Sequence, residues 1–449
     1  MDSGFGINGH SKSVSEMTTS KLDYWSPLIV ENGVKKSYPI EIRPHSMNEN
    51  GPFEFSLPAN PEKFIDITSL TLHGRVGIRT KDDKGNWVHP PKTDKTWGVI
   101  NNFFPSLWSS IVVKMNDTEI GDVSNNSYPY TSYLQTLLGT TSALSKNHIL
   151  KEQCFIKDEC ESMETPNQKE NSSYSKRKQK LVDNDFTDFC IPIHNDLSTC
   201  EKYLPPGVKL FFSVRRSSDD FLIWKTGTNQ YKVVVEDLHL NVNLLEVHTN
   251  ILQNHFKQQR SRGGVIDMKY TQNILKTFAV PKGSFELKQH NLFFGDRLPN
   301  RIYLAFVEQE SYNGSPTKNP YNFETASMRE ACLIVNGVSE PSPPLTFQEN
   351  VTEKQLYFDL LQNTGTSNFD FEGVNISLDE FKKGYFILAY DRSPMKDNGL
   401  YTHKSDRGNI TISVKCKEAI SKNYMVLVFA SYDAKLVLAD DKVMIQSIY

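Results

Sequence analysis

The chain has 449 residues, 38% of them hydrophobic and 23% charged, and carries a formal net charge of −3. At roughly 100–200 residues per domain this length predicts two domains, each able to bury a sizeable core. The charge excludes a protein built for bulk neutralisation of phosphates, and no segment nears the ~20 apolar residues of a membrane-spanning helix.

Residues 1–36 are polar and rich in Ser and Gly, apart from LDYWSPLIV at 22–30. They predict a flexible N-terminal arm with one apolar docking patch, Tyr24 to Val30, and the opening twenty residues lack the apolar centre of a secretory signal. Strand patterns follow. SYPIEIRP at 37–44, PFEFSLP at 52–58 and FIDITSLTLHGRVGIRT at 64–80 alternate apolar with polar residues. In the last of these, Ile65, Ile67, Leu70, Leu72, Val76 and Ile78 are predicted to be buried, and Gly74 and Gly77 predict a bend or bulge. SSIVVKMN is a further strand ending in a turn at MNDT. YPYTSYLQTLLGTT at 128–141 is helical, with Tyr130, Tyr133, Leu134, Leu137 and Leu138 on one face. Residues 157–185 are almost wholly polar and predict a surface loop. Within it, Ser175–Lys180 (SKRKQK) is read as solvated, with a nuclear localisation signal as the alternative. FCIPIHND, VKLFFSVRRS and YKVVVEDLHLNVNLLEV (231–247) close the first half. A charged linker at 251–264 ends in Gly263-Gly264.

The second half, 265–449, repeats the order. SSIVVKMNDTEI from Ser109 is answered by EACLIVNGVSE from Glu330, and YPYTSYLQTLL by VTEKQLYFDLL. FCIPIHNDLS is answered by YFILAYDRSP, and GVKLFFSVRRS by GNITISVKCKE. Four similar blocks in one order indicate two copies of a β-rich module. SEPSPPL between them is read as irregular. Each copy, 37–250 and 265–449, offers about eight strands and a short helix in a loop. The fold class is therefore all-β, a double jelly-roll of two eight-stranded sandwiches in tandem.

No constellation for chemistry emerges. GxxxxGK[ST], GxGxxG, GxSxG and HExxH are absent. The six cysteines, at 154, 160, 190, 200, 332 and 416, have no CxxC spacing and are read as free thiols in a reducing compartment. A zinc site on Cys154 and Cys160 is the minor alternative. His239, His248 and His255 cluster in sequence but lack the HxH pair of cupin metal sites. Asp82-Asp83, Asp219-Asp220 and Asp440-Asp441 are read as solvated turns. The expectation is no enzyme, no catalytic residues, no cofactor and no metal.

GPFEF (51–55), FIDI (64–67), NNFFPSLWSSIVVKMN (101–116), YPYTSYLQTLL (128–138), LPNRIYLAFV (298–307), NPYNF (319–323) and FKKGYFILAYDRSP (381–394) together carry a resemblance. From about residue 37 to its end, the chain resembles the major capsid protein of polinton/Maverick elements and adintoviruses, and more distantly virophage capsid proteins and the adenovirus hexon. The resemblance implies a homotrimer forming a pseudo-hexagonal capsomer and an icosahedral virion shell around double-stranded DNA. It also implies neighbouring capsomers and a single jelly-roll penton or minor capsid protein as partners. Neither sequence-specific nucleic-acid binding nor a membrane span is expected. The chain is short for that lineage, so large towers are not expected and 157–185 is the main candidate for an outward loop. A tandem jelly-roll receptor- or carbohydrate-binding protein, or a minor capsid component, is the alternative reading.

Overall fold

A strand with one apolar face is stable only when a second layer covers that face, so alternating segments pair into facing sheets. The computed structural model describes residues 33–46, 51–121, 124, 127–141, 148–165, 171–293, 297–348, 352–364, 374–393, 406–439 and 442–447. The arm patch at 22–30 and the Asp440-Asp441 pair lie outside these residues.

The first half runs β1 (Val34–Ile42), β2 (Phe53–Leu57), β3 (Lys63–Lys81), β4 (Trp87–Val88), β5 (Trp97–Val99), β6 (Trp108–Met115), β7 (Thr118–Ile120), β8 (Thr187–Pro192), β9 (Leu210–Arg216), β10 (Ile223–Lys225) and β11 (Tyr231–Val247). One sheet has the order β1-β11-β3-β8, with β4 also on β3, and the facing sheet is β2-β9-β6-β7. The second half runs β12 (Val265–Val280), β13 (Glu286–Gln289), β14 (Arg301–Glu308), β15 (Met328–Val335), β16 (Val338–Thr346), β17 (Ile387–Asp391), β18 (Ile410–Cys416), β19 (Tyr424–Ala439) and β20 (Lys442–Ser447). Its sheets are β12-β19-β14-β17 and β13-β18-β15-β16, with β20 added along β19. Counted in chain order, both halves use the sheet orders 1-8-3-6 and 2-7-4-5. Among the described residues the protein is thus two jelly rolls of eight strands each, with β4, β10 paired to β5, and β20 as additions.

Periodicity placed the core correctly. Ile65, Ile67, Leu70, Leu72, Val76 and Ile78 are all buried. Gly74 and Gly77 do a different job from the bend expected. The bulge lies opposite them on β11, where Asp237 has φ 50° and the register slips between Glu236 and His239. The glycines instead make room for neighbours: a Cβ on Gly74 would stand 2.8 Å from the Phe189 ring, and one on Gly77 2.8 Å from the Asp185 carbonyl.

Three other expectations are corrected. Residues 34–36 belong to β1, paired to β11 from Val247. The 251–264 linker is mostly helix, Thr249–Ser261, ended by Gly263 and Gly264 at φ 72° and 79°. The SEPSPPL segment is strand β16, at a sheet edge. There Glu340 pairs with Leu333 and Leu345 with Ala331, so the three prolines fall in the gap in the ladder. Proline lacks an N–H and is tolerated only at such edges and bulges.

The repeat is visible at atomic level in the two matching hairpins. Asn116 and Asp117 turn β6 into β7 at φ 46° and 70°, and Asn336 and Gly337 turn β15 into β16 at φ 49° and 86°. Two successive positive φ values give the turn whose twist suits a hairpin, and Asn, Asp and Gly tolerate them. Each Asn also clasps the start of a third strand. The Asn116 Oδ1 accepts from Lys209 N at 2.8 Å, and its N–H donates to Lys209 O at 3.0 Å. Asn336 does the same with Asn409, at 3.0 Å in both directions. Asn116→Ala and Asn336→Ala should each cost about 2 kcal/mol, about half from the left-handed backbone and half from the lost acceptor. Glycine at either site should cost only the second part. Denaturant midpoints of the four variants measure this, and equal midpoints for Ala and Gly would remove the conformational half of the account.

Candidate functional site

The chemistry-bearing residues singled out by sequence are dispersed. His239 sits on β11 with its ring stacked 5.2 Å from His73, whose Nε2 lies 3.4 Å from the Cys190 Sγ. His248 precedes the Thr249–Ser261 helix, and His255 packs edge-on against Phe64. The three histidines do not converge. Burial pushes the thiols of Cys154 and Cys200 up to about 12, which keeps them protonated and poor as nucleophiles. No group of three or more His, Cys, Asp or Glu side chains among the described residues is placed to hold a metal ion. The Asp82 carboxylate caps its own turn, accepting from Lys84 N and Asn86 N. Asp219 Oδ1 accepts from Arg216 and Val233 N, both at 3.1 Å.

Two open grooves of about 780 Å³ each remain. One lies between β16 and the Glu353–Asn363 helix, the other between the Thr249–Ser261 helix and the 201–205 loop. Neither lining pairs a histidine with a serine or cysteine. No described helix is long and apolar enough to cross a membrane.

The organised site is instead the joint between the rolls, built by two strand connections. The β7–β8 connection of the first roll, residues 121–186, carries the Tyr128–Gly139 helix, with Pro129 in its first turn. The 3.6-residue period puts Tyr130, Tyr133, Leu134 and Leu137 on one buried face, with Leu138 half-buried. That face meets the β14–β15 connection of the second roll, residues 309–327. Tyr133 stacks on Tyr321 with ring centroids 3.9 Å apart and planes 9° apart, and Tyr130 stacks on Tyr312 at 5.3 Å. Such pairs contribute about 0.5–1.5 kcal/mol each beyond their buried area. The Tyr321 hydroxyl reaches across to Ser106 Oγ at 2.5 Å, which fixes the ring's depth.

Beside the aromatic stack sits a buried ion pair. Arg177 Nη2 donates to Asp158 Oδ1 at 2.6 Å, with side chains 0% and 1% exposed. The rest of the guanidinium is satisfied by Ile156 O and Val99 O. Asp158 gathers both rolls: Asn171 from the first donates to Oδ1 at 2.9 Å, and Asn319 from the second to Oδ2 at 3.3 Å. The Tyr385 hydroxyl, also from the second roll, donates to the Asp158 carbonyl at 2.9 Å. Further out, Lys157 bonds Glu380 at 2.7 Å and Lys383 bonds Glu161 at 2.8 Å. Below, Asp196 Oδ1 accepts from both nitrogens of Asn273 on β12, at 3.1 and 3.2 Å.

Arg177 belongs to the basic run Ser175–Lys180, so that reading changes. Residues 172–182 form a helix, Ser172–Val182, whose Tyr174, Arg177, Lys178, Leu181 and Val182 are buried. Asn171 caps it by accepting from Tyr174 N at 3.1 Å. The Lys178 amine bonds the Asp94 carbonyl and lies over the Trp97 ring, and Lys180 pairs with Glu152 at 3.0 Å. A localisation signal needs an accessible basic run, and this one is folded inward. The 157–185 segment is accordingly structural over its described parts, not a solvated loop. A net-polar composition hid the helix because its buried cations find partners 19 and 84 residues away.

Removing one partner of a buried pair leaves an uncompensated charge. Arg177→Met should therefore cost about 3–5 kcal/mol, with Asp158→Asn in the same chain restoring part of it. Denaturation of the two singles and the double measures the coupling, and a strictly additive double would overturn the pairing. His194, two residues past β8 and half-buried, provides a pH test. Its Nδ1 lies 3.1 Å from Gln135 Oε1, and burial pushes its pKa from 6.5 down to about 4. A lowered histidine pKa favours folding while the ring is neutral. That contribution is complete above pH 6.5 and is lost as pH falls toward 4, up to about 3 kcal/mol. His194→Gln should flatten the stability–pH profile in that window, and an unchanged profile would show the ring does not drive it.

No family model matches the chain. "Uncharacterized protein F54H12.2" of Caenorhabditis elegans is 23% identical over 399 residues, 87% of this chain and 91% of that protein. Among solved structures, a chain of the Sputnik virophage has a TM-score of 0.61 at 11% identity, with 97% of this chain and 93% of that one covered. The mavirus major capsid protein gives 0.51 at 12% identity, covering 100% and 97%. The chain of the PBCV-1 virus capsid gives 0.53 at 11% identity, covering 94% and 98%. The fold is that of viral double jelly-roll capsid proteins.

Proposed function

We propose that this chain is a structural major capsid protein with no catalytic role. Three copies associate into a capsomer of six rolls, and capsomers tile an icosahedral virion shell around double-stranded DNA. The observation that carries this reading is the joint. Two rolls of one topology are held rigidly, the β7–β8 connection of one against the β14–β15 connection of the other. Such a contact is heterologous, joining unlike surfaces, and heterologous contacts generate a ring where the rotation closes. The full-length likeness in fold to virophage and PBCV-1 capsid chains supports the same role.

The resemblance of the sequence motifs places it, in this reading, with the major capsid proteins of polinton/Maverick elements and adintoviruses. Partners in this reading are further capsomers and a single jelly-roll penton or minor capsid protein. A net charge of −3 suits a wall that does not itself neutralise the genome.

Light scattering after size exclusion tests the reading. The expected mass is about three times that of the 51.3 kDa chain, and electron microscopy should show three-fold particles or shells. A monomer that retains sugar ligands would instead establish the carbohydrate-binding alternative. The arm is assigned to contacts between capsomers. Since β1 begins at Val34, deletion of residues 1–32 should leave trimers intact and reduce shell yield. Normal shells from the truncated protein would remove the arm from assembly.

A further inference from the structure

The groove beside the Thr249–Ser261 helix is walled by Phe64, Tyr203, Pro205, His255, Val265 and Met268. On the helix, His255, Gln258 and Arg262 line it from one stripe, and Ile251, one turn before His255, extends that stripe. Tyr203, Ile251 and Val265 are 49%, 40% and 37% exposed. Three exposed apolar side chains around one concave surface, rimmed by the exposed Lys202, Gln258 and Arg262, differ from apolar residues scattered singly and mark a docking surface. The helix points the same way. Helices in folded chains are held mainly by burying one face, yet none of the thirteen residues of this one is fully buried.

The chain's own arm joins the fold at the head of this helix. The Gly33 carbonyl, next to the start of β1, accepts from His248 N at 3.4 Å, and His248 is the residue that precedes the helix. At 1.5 Å per residue, His255 lies about 10 Å further along the helix. Val30 precedes Gly33 by three residues, and three extended residues span about 10 Å. The apolar run LDYWSPLIV at 22–30 is therefore within reach of the groove from its anchor at Gly33. Extended, its nine residues would cover about 30 Å, against about 20 Å for the helix. The run has no Lys or Arg, and its Leu22, Tyr24, Trp25, Leu28, Ile29 and Val30 are the kind of side chain the groove walls can cover. So short a tether gives a local concentration in the mM range, at which modest apolar contact is enough to hold the segment.

We propose that residues 22–30 occupy this groove on their own chain, packing between Tyr203 and the Ile251–His255 stripe. The seat ties the arm to both rolls, because Phe64 belongs to the first and Val265 and Met268 to the second. It leaves residues 1–21 for the contacts between capsomers assigned to the arm above. The trimer is not required: a single chain would seat the segment in the same way.

Limited chymotrypsin digestion of the full-length protein tests it, with cleavage after Tyr24 and Trp25 read by mass. Tyr203→Asp, Ile251→Asp and Val265→Asp, each at an exposed position, should keep the melting transition and speed that cleavage by about tenfold or more, since proteolysis follows the population of the open form. Folded variants cut at the wild-type rate overturn the seat. Should none of the three fold, Trp25 decides. The difference in emission between wild type and Trp25→Phe isolates its indole, which should emit at shorter wavelength than an indole in water, and emission at the solvated position overturns the seat. Co-expression of a groove variant with the double variant Trp25→Asp, Ile29→Asp, whose groove is intact, separates the chain's own groove from a neighbour's. Continued fast cleavage of the groove variant is expected, and recovered protection would place the segment on a neighbouring copy and overturn the own-chain seat. None of these results changes the mass expected of the trimer, so the capsid reading is tested separately.

Discussion

Asp158 lies where the two rolls meet, with Arg177 against one oxygen, Asn319 of the second roll against the other, and Tyr385 on its carbonyl. A carboxylate removed from water costs several kcal/mol unless its partners are in place. That cost makes the joint selective: only one relative placement of the rolls supplies all the donors together. The stacked tyrosines add apolar burial, and burial alone is tolerant of sliding. The ion-pair network is not. Through it, the two sandwiches are held in one relative placement.

The duplication then simplifies the assembly problem. Both rolls use the same strand order and the same Asn clasp at the β6–β7 and β15–β16 hairpins. What differs is the decoration. The first roll's β7–β8 connection carries a capped amphipathic helix that locks onto β5, where a Cβ on Gly98 would stand 2.3 Å from the Tyr174 ring. The second roll's β16–β17 connection is shorter in structure and leaves an aromatic side chain outward. Two similar scaffolds thus carry unlike connections.

Among the described residues, no group of three or more His, Cys, Asp or Glu is placed to hold a metal ion. Perturbed groups are present: Glu164 is pushed up by burial, as are the thiols and phenols of the joint. They are perturbed because they are packed between rolls, and none lines a groove beside a nucleophile and base. Burial is the leading cause of each of these shifts.

Sequence alone determined the fold class, the doubling and most of the core. Those signals are local: period-two alternation in β3, the 3.6-residue face of Tyr128–Gly139, and Asn turns at two corresponding places. The joint was only half legible. Tyr130 and Tyr133 stood out as a buried face, but their partners Tyr312 and Tyr321 lie some 180 residues further along. Residues 157–185 read as a solvated polar stretch because their composition is polar, and the SEPSPPL segment as irregular because of its prolines. Tertiary structure decided otherwise for both. Whether a polar residue is buried depends on whether a distant partner satisfies it, and whether a proline-rich segment is a strand depends on which edge of a sheet it occupies. Neither property is carried by neighbours in the chain.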